Sequence, residues 1–281
     1  MLIIGAGIVG QATGLGFAEH GHEVAFYDID GKKLEALREK GFEAASKIGK
    51  TVLGSEVFFV CVPTPTVNGE MDFRYIQDAV VKVGSVLREN GEFAVVVVRS
   101  TVLPTTTRSR VVPLLERCSG LRVGEGFGVC MNPEFLRERH ALEDFQNPSR
   151  IVIGESDKRS GDMLEKLYSA FRTPIIRTDL DSAEMIKYAA NCFLAAKISY
   201  FNEIYSICQR LGLDSEAICK AVSLDSRIGN YGIHGGRPFA GMCLPKDVEA
   251  LTNFARKKGM NPSLLEAILK VNDEVRSKSQ N

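Results

Sequence analysis

The stretch from Leu2 to Asp28 constrains this chain more than any other. Leu2 to Ile4 is a short apolar run, followed at once by Gly5-Ala6-Gly7-Ile8-Val9-Gly10 and a helical pattern that ends near Gly21. Glu23 to Tyr27 reads as a second strand and ends in Asp28, eighteen residues past Gly10. Strand, glycine turn, helix, strand and acid in that order form the dinucleotide-binding fingerprint. Gly5 permits the turn, Gly7 lets a pyrophosphate approach the helix N-terminus, and Gly10 lets helix and strand pack closely. Asp28 can accept both adenosine ribose hydroxyls and would repel a 2′-phosphate, so NAD is expected over NADP.

The alternation continues. Strands are expected at Val57 to Val62, Phe93 to Val98, Gly128 to Met131 and Arg150 to Ile153, separated by helices at 31–40, 72–90, 105–117 and 157–171. Such βα repetition predicts an α/β fold with a Rossmann-like parallel sheet covered on both faces, over residues 1–178. Ligands sit at the carboxyl ends of strands in this architecture. Cys61-Val62-Pro63-Thr64-Pro65-Thr66, Arg99-Ser100-Thr101-Val102 and Asn132-Pro133-Glu134-Phe135-Leu136-Arg137-Glu138 occupy those ends. Singly each is ordinary turn chemistry; recurring at successive strands, they read as the lining of one crevice.

The second half, residues 179–281, is expected to be all-α. Ser182 to Leu211 is its longest helical pattern and suits a backbone helix that joins domains or builds a dimer seam. Lys187 and Asn191 lie four apart and so share a face, as surface polarity or as holders of a developing oxyanion. Further helices are expected at 214–223, 247–258 and 262–277. Between the first two lies a glycine-rich loop leading to Gly241-Met242-Cys243-Leu244-Pro245-Lys246-Asp247. Alone, Cys243 reads first as a buried structural thiol. At a helix N-terminus, with Lys246 nearby, it would instead be nucleophilic, because unpaired amides and the helix dipole favour a thiolate.

Composition narrows the alternatives. Lys+Arg and Asp+Glu are 35 each, so no charge excess argues for nucleic acid or an anionic membrane surface. The seven cysteines form no CxxC pair, which suits reduced thiols in a cytoplasmic protein better than disulfides or zinc. No metal site is expected, and all four histidines read as surface residues. The apolar N-terminus lacks a basic flank and is broken by glycines, so neither a signal peptide nor a membrane span fits.

Glycine fingerprint, Ser-Thr-Val, Asn-Pro-Glu-Phe-Leu-x-Glu, Lys-x-x-x-Asn and Gly-x-Cys-Leu-Pro-Lys-Asp occur here in one order over nearly all of the 281 residues. In this the chain resembles the UDP-glucose/GDP-mannose 6-dehydrogenase family, whose members oxidise the C6 alcohol of a nucleotide sugar to a carboxylate with two NAD+. The resemblance implies that Cys243 captures the aldehyde, while Lys187 and Asn191 steady oxyanions. Asp247 would work with Thr101 and Glu134 on water and protons. It implies Gly5, Gly7, Ile8, Val9, Gly10, Asp28, Lys33, Thr64, Thr101 and Glu138 as contacts of NAD. Glu134, Phe135, Leu136, Arg137, Lys187, Asn191 and Gly241 would contact the nucleotide sugar, with Arg227 reaching substrate on the neighbouring subunit of a homodimer.

Two departures accompany the match. Ala240-Gly241-Met242-Cys243 stands where the family usually has Gly-Gly-Ser-Cys, and a methyl at position 240 is costly if that residue needs positive φ. Family members also carry a third, nucleotide-binding domain beyond the central helices, so this sequence is expected to have the chemistry but to lack much of the nucleotide's grip. Two other readings remain open at this stage. One is a two-electron 3-hydroxyacid dehydrogenase, which leaves Cys243 unexplained. The other is a catalytically silent NAD-binding or dimerisation partner.

Overall fold

The computed structural model describes residues 1–48, 54–241 and 243–278, and these divide into two compact units. The first comprises Met1–Thr64 and Asp72–Lys187; the second comprises Pro65–Met71 and Tyr188–Asn281.

The first unit is built on β1 (Leu2–Ile4), β2 (Ala25–Tyr27), β3 (Glu43–Ala45) and β4 (Val57–Val60). A short hairpin, β5 (Thr66–Val67) and β6 (Glu70–Met71), interrupts them and belongs to the second unit. The sheet resumes with β7 (Ala94–Val98), β8 (Phe127–Met131), β9 (Ile151–Glu155) and β10 (Ile175–Asp179). Its strand order is β3-β2-β1-β4-β7-β8-β9-β10. The order reverses between β1 and β4, and the crevice outside the carboxyl ends of these two strands is where such sheets bind ligands.

Helices cover the faces: α1 (Ile8–Glu19), α2 (Gly31–Glu39), α3 (Arg74–Asn90), α4 (Val112–Ser119), α5 (Ala141–Gln146) and α6 (Lys158–Leu167). Their cover explains why β4 and β7 read as unbroken apolar runs, Val-Phe-Phe-Val and Ala-Val-Val-Val-Val, with every residue buried. Phe17, Phe145, Tyr168 and Phe171 pack ring against ring on one face. His20 stacks on Phe171 with ring centroids 4.3 Å apart, and His22 meets Phe17 edge-on. Both are half-buried, which corrects the expectation that all four histidines are surface residues.

The last two strands depart from the expected parallel sheet. β9 pairs antiparallel with β8, and β10 then runs parallel to β9. The connection between β8 and β9, a 3-10 turn and the six-residue α5, does not carry the chain across to the other end of the sheet. The chain therefore re-enters the sheet from the end it left. The helix expected at 105–117 is also interrupted, because residues Thr107–Val111 form a π-helical turn before α4 begins.

The second unit contains most of α7 (Leu180–Leu211), then α8 (Ser215–Ser223), α9 (Leu244–Lys257) and α10 (Ser263–Lys278). Asp214 caps α8 by accepting from the amides of Glu216 and Ala217. The β5–β6 hairpin docks on α9: Thr66 Oγ1 donates to the Lys246 carbonyl at 3.2 Å and Asn253 donates to the Gly69 carbonyl at 3.1 Å. Its turn, Asn68-Gly69, has φ of 52° and 75°, the positive values that a two-residue hairpin connection requires. Among the described residues no helix is long and apolar enough to cross a membrane.

Candidate active site

The first unit brings the glycine loop and the acid of β2 together. Gly5 has φ of 97°, and a Cβ placed there would lie 2.7 Å from the Cys61 carbonyl oxygen at the end of β4. A Cβ on Gly10 would lie 1.8 Å from the Gly5 oxygen, so the absence of a side chain is what lets α1 sit against β1. Beside Gly7 the space is open, with no atom within 4 Å of a Cβ built there. Gly7 is the N-cap of α1, so the amides of the first turn face that opening. Ile8 is 45% exposed and Val9 half-buried on the same turn.

Asp28 is buried, and each carboxylate oxygen accepts one backbone amide: Oδ2 from Ala6 at 2.6 Å and Oδ1 from Asp30 at 2.9 Å. A carboxylate oxygen carries two lone pairs, so both retain capacity for ribose hydroxyls. Lys33 Nζ is 3.9 Å from Asp28 and 3.8 Å from Asp30, at the rim. Open space over a glycine N-cap, flanked by a buried, amide-held carboxylate, fits the pyrophosphate and the adenosine ribose of NAD. A bound NAD would supply hydride acceptance; this chain would supply Asp28 for the ribose and the first turn of α1 for the phosphates.

The next strand ends are tied to each other. Thr64 is buried, and its hydroxyl donates to the Thr101 carbonyl at 2.7 Å. Ser100 donates through its hydroxyl to Val62 at 2.6 Å. After β8, the turn Asn132-Pro133-Glu134 is fixed by a buried network that sequence reasoning did not assemble. Arg99 donates to the Asn132 side chain at 2.5 Å and to Thr13 Oγ1 on α1 at 2.8 Å. Tyr168 donates to Asn132 Oδ1 at 2.6 Å, and the Asn132 amide donates to the Val152 carbonyl at 2.7 Å.

Glu134 and Lys187 then form a buried ion pair. Lys187 Nζ donates to Glu134 Oε1 at 2.9 Å and to the Glu134 carbonyl at 2.7 Å, while Glu134 Oε2 accepts the Leu136 amide at 2.6 Å. The two side chains are 7% and 4% exposed. Burial pushes the Glu134 carboxyl up, but the charge and hydrogen bond of Lys187, the Leu136 amide and the charge of Arg99 outweigh it, leaving the group below its ordinary value. Phe135 lies under the Arg150 guanidinium at 3.7 Å. Arg137 and Glu138 are exposed; Arg137 pairs with Asp144 at 2.6 Å, and Glu138 opens a short 3-10 turn.

In the second unit the residues gather around Asp247, which is fully buried. Asn191 on α7 donates to its Oδ2 at 2.6 Å, and Lys246 to its Oδ1 at 2.5 Å. Cys243 is the N-cap of α9, one turn ahead, and its carbonyl accepts the Asp247 amide at 3.1 Å. Five of the seven cysteines are buried, whereas Cys243 is exposed, against the buried structural reading. Cys192, beside the same carboxylate, is pushed up to about 12 by burial and by the charge of Asp247. The left-handed residue of the loop is Gly241, with φ of 82°; among the described residues the non-glycine positive φ values fall at Asn68 and Thr105, so Ala240 carries no such strain. Arg227 is exposed and folded back on Asp225 at 2.6 Å.

Comparison with known proteins gives this arrangement a context. Residues 35–172 match the UDP-glucose/GDP-mannose dehydrogenase family, NAD binding domain, and residues 181–274 match the central domain of the same family. GDP-mannose 6-dehydrogenase of Pseudomonas aeruginosa is 39% identical over 96% of this chain and 67% of its own length. A UDP-glucose 6-dehydrogenase of Haloferax volcanii is 37% identical over 96% of this chain and 69% of its own. The structure of a UDP-glucose dehydrogenase from Pyrobaculum islandicum superposes with a TM-score of 0.91 at 36% identity, covering 97% of this chain and 67% of the other. With the fold and the glycine loop, these matches make NAD its cofactor and place the chain in the UDP-glucose/GDP-mannose dehydrogenase family.

Proposed function

We propose that this chain carries out the NAD-dependent, four-electron oxidation of the C6 alcohol of a nucleotide sugar, UDP-glucose or GDP-mannose, to the uronic acid. In the balance, one alcohol, two NAD+ and one water give one carboxylate, two NADH and three protons. Cys243 adds through sulfur to the aldehyde formed in the first oxidation, giving a thiohemiacetal. The second hydride loss leaves a thioester, and water releases the acid and restores the thiol. Lys187 and Asn191, one turn apart on α7, steady the alkoxide oxygens. Asp247, with Thr101 and Glu134, handles water and protons. Glu138 and Thr64 attend the NAD. Phe135, Leu136, Arg137 and Gly241 attend the sugar nucleotide.

The observation that carries this reading is the exposed Cys243 at the N-cap of α9, one turn before a fully buried Asp247 that is held by Asn191. A two-electron 3-hydroxyacid dehydrogenase needs no such cysteine, and family membership does not favour that reading. A homodimer through the helical region, residues 179–281, is part of the proposal. It is supported by the exposed apolar residues Phe193, Tyr200 and Ile207, which recur every seven positions along α7 and continue to Leu211.

The test is stoichiometric. The purified chain, incubated with NAD and either nucleotide sugar, should yield two NADH per acid formed, and Cys243→Ala should abolish acid formation. One NADH with a released aldehyde would overturn the four-electron reading. NAD binding by calorimetry without turnover on either sugar would favour a silent partner.

A further inference from the structure

Four unusual features meet at one place in the first unit, and the proposed chemistry uses none of them. Thr105 is a β-branched residue with φ of 74°, a conformation such residues rarely adopt. The next residues but one, Thr107–Val111, form a π-helical turn in which the Val112 amide donates to the Thr107 carbonyl. Glu184, in the second turn of α7, is fully buried, and its Oε1 accepts the Thr107 amide at 2.7 Å. Its Oε2 and the Thr107 hydroxyl are both buried without a hydrogen-bond partner among the described residues. An unsatisfied buried carboxylate oxygen is costly, which raises the question of its use.

The use follows from what the clamp holds. Residues 99–106 form the loop that leaves β7, and Thr101 is among them. At its start the loop is pinned, because Ser100 donates to the Val60 and Val62 carbonyls and Thr101 accepts from Thr64. At its far end Ser109 donates through amide and hydroxyl to the Thr105 carbonyl, at 2.9 and 2.6 Å, and Glu184 takes the Thr107 amide. Among the described residues two ties join the π turn to α7, the exposed Arg108–Asp181 pair and the buried Glu184 bond, and only the Glu184 bond holds the backbone where the strained Thr105 passes into the turn. We propose that Glu184 is a positioning residue: its carboxyl clamps the start of the π-helical turn and so sets the geometry of the loop that presents Thr101.

The surroundings agree with a group kept for its state as well as its shape. Burial pushes the Glu184 carboxyl up to about 7, against the contact with Thr107 that lowers it; the neighbouring charge of Asp181 adds to the rise. The charged groups that face this spot are Asp181 on α7 and Arg108 on the π turn, paired with each other at 2.7 Å, with Asp179 at the end of β10 acting on Arg108. A group poised near neutrality ties the loop to pH where a glutamine of the same shape would not.

This inference rests on the proposed reaction, because Thr101 matters through it, and the test therefore has an arm that needs no turnover. Glu184→Ala removes the clamp, Glu184→Asp retracts the carboxylate by one methylene, and Glu184→Gln keeps an acceptor for the Thr107 amide but cannot ionise. Amide hydrogen exchange is read over residues 101–111 and over β1 in the NAD-bound protein. Glu184→Asp and Glu184→Ala are expected to speed exchange at 101–111 by about tenfold or more, with β1 unchanged, and Glu184→Gln to restore protection. In turnover, the first two should lower kcat by about tenfold with KM for NAD held within about twofold, and Glu184→Gln should recover kcat but flatten its pH profile near neutrality.

Uniform loss of protection across 101–111 and β1 would make Glu184 merely structural and overturn the proposal. Unchanged exchange at 101–111 in Glu184→Asp would overturn it too, even if Glu184→Ala fails to fold. Should the unaltered chain form no NADH with either nucleotide sugar, the proposed reaction falls, and the exchange arm judges the clamp alone.

Discussion

Lys187→Met isolates what the buried ion pair does. The substitution keeps most of the side-chain volume and leaves the Glu134 carboxylate inside the first unit with only the Leu136 amide and the more distant charge of Arg99. Removing one partner of a buried pair costs about 3–5 kcal/mol, a large share of a total stability of about 5–15 kcal/mol. The sign of its pH dependence follows. In the native chain Glu134 sits below its ordinary value, so its contribution is present above the unfolded carboxylate value and is lost as pH falls through the folded one. With Lys187 gone, burial is no longer outweighed and the carboxyl moves upward. The variant's deficit should therefore be largest at about pH 8 and shrink towards about pH 5, where the carboxyl takes up a proton. Urea unfolding of wild type, Lys187→Met, Glu134→Gln and the double variant at both pH values gives the coupling directly. The double variant should recover at least half of the loss, because two neutral side chains leave no unpaired charge. A deficit below about 1 kcal/mol, or one independent of pH, would refute the argument that this pair is buried and strongly coupled.

Three further outcomes are expected. Gly10→Ala places a methyl 1.8 Å from the Gly5 oxygen, so α1 must lift from β1; stability should fall by about 1–3 kcal/mol and NAD affinity by about tenfold or more in calorimetry. Asp28→Asn keeps the shape but removes the charge that would repel a 2′-phosphate, so the ratio of NADP to NAD affinity should rise by about tenfold or more. The Glu184 carboxyl is raised from an ordinary 4.5 to about 7, so the native chain binds an extra proton between those values and loses stability as pH rises through them. Glu184→Gln should remove that slope, worth about 3 kcal/mol, in urea titrations across the range.

The order of elements was legible in the residues because the long ones carry strong periodicity: the apolar runs at Val57 and Ala94 and the stretch that became α7 lie close to where they were expected. What escaped was short or non-local. β3 and β10 are three and five residues long and carry polar side chains, so neither presents an apolar run. The Thr66–Met71 hairpin did carry a signal, Asn68-Gly69 between alternating residues, the strongest short-range mark of a two-residue turn. Its membership of the second unit, by contrast, depends on contacts with α9 some 180 residues away.

The site was partly readable for a similar reason. Glu134 and Lys187 each stand in a recognisable motif, but their pairing spans 53 residues and only the folded chain displays it. Arg99 and Asn132 looked like ordinary turn residues at separate strand ends, and the buried network joining them to Thr13 and Tyr168 has no local pattern. Glu184 is harder still. An acidic residue in a helical run is most often solvated, and nothing in Thr105-Thr106-Thr107 announces a left-handed residue or a π turn.

The most direct measurement of the central claim is the mass of the protein during turnover. Chain mixed with NAD and nucleotide sugar, quenched within a turnover and analysed as intact protein and as peptides, should carry the sugar on the peptide containing Cys243, and Cys243→Ser should not. NADH formed at an undiminished rate by Cys243→Ser, with no sugar on that peptide in the native chain, would contradict covalent capture.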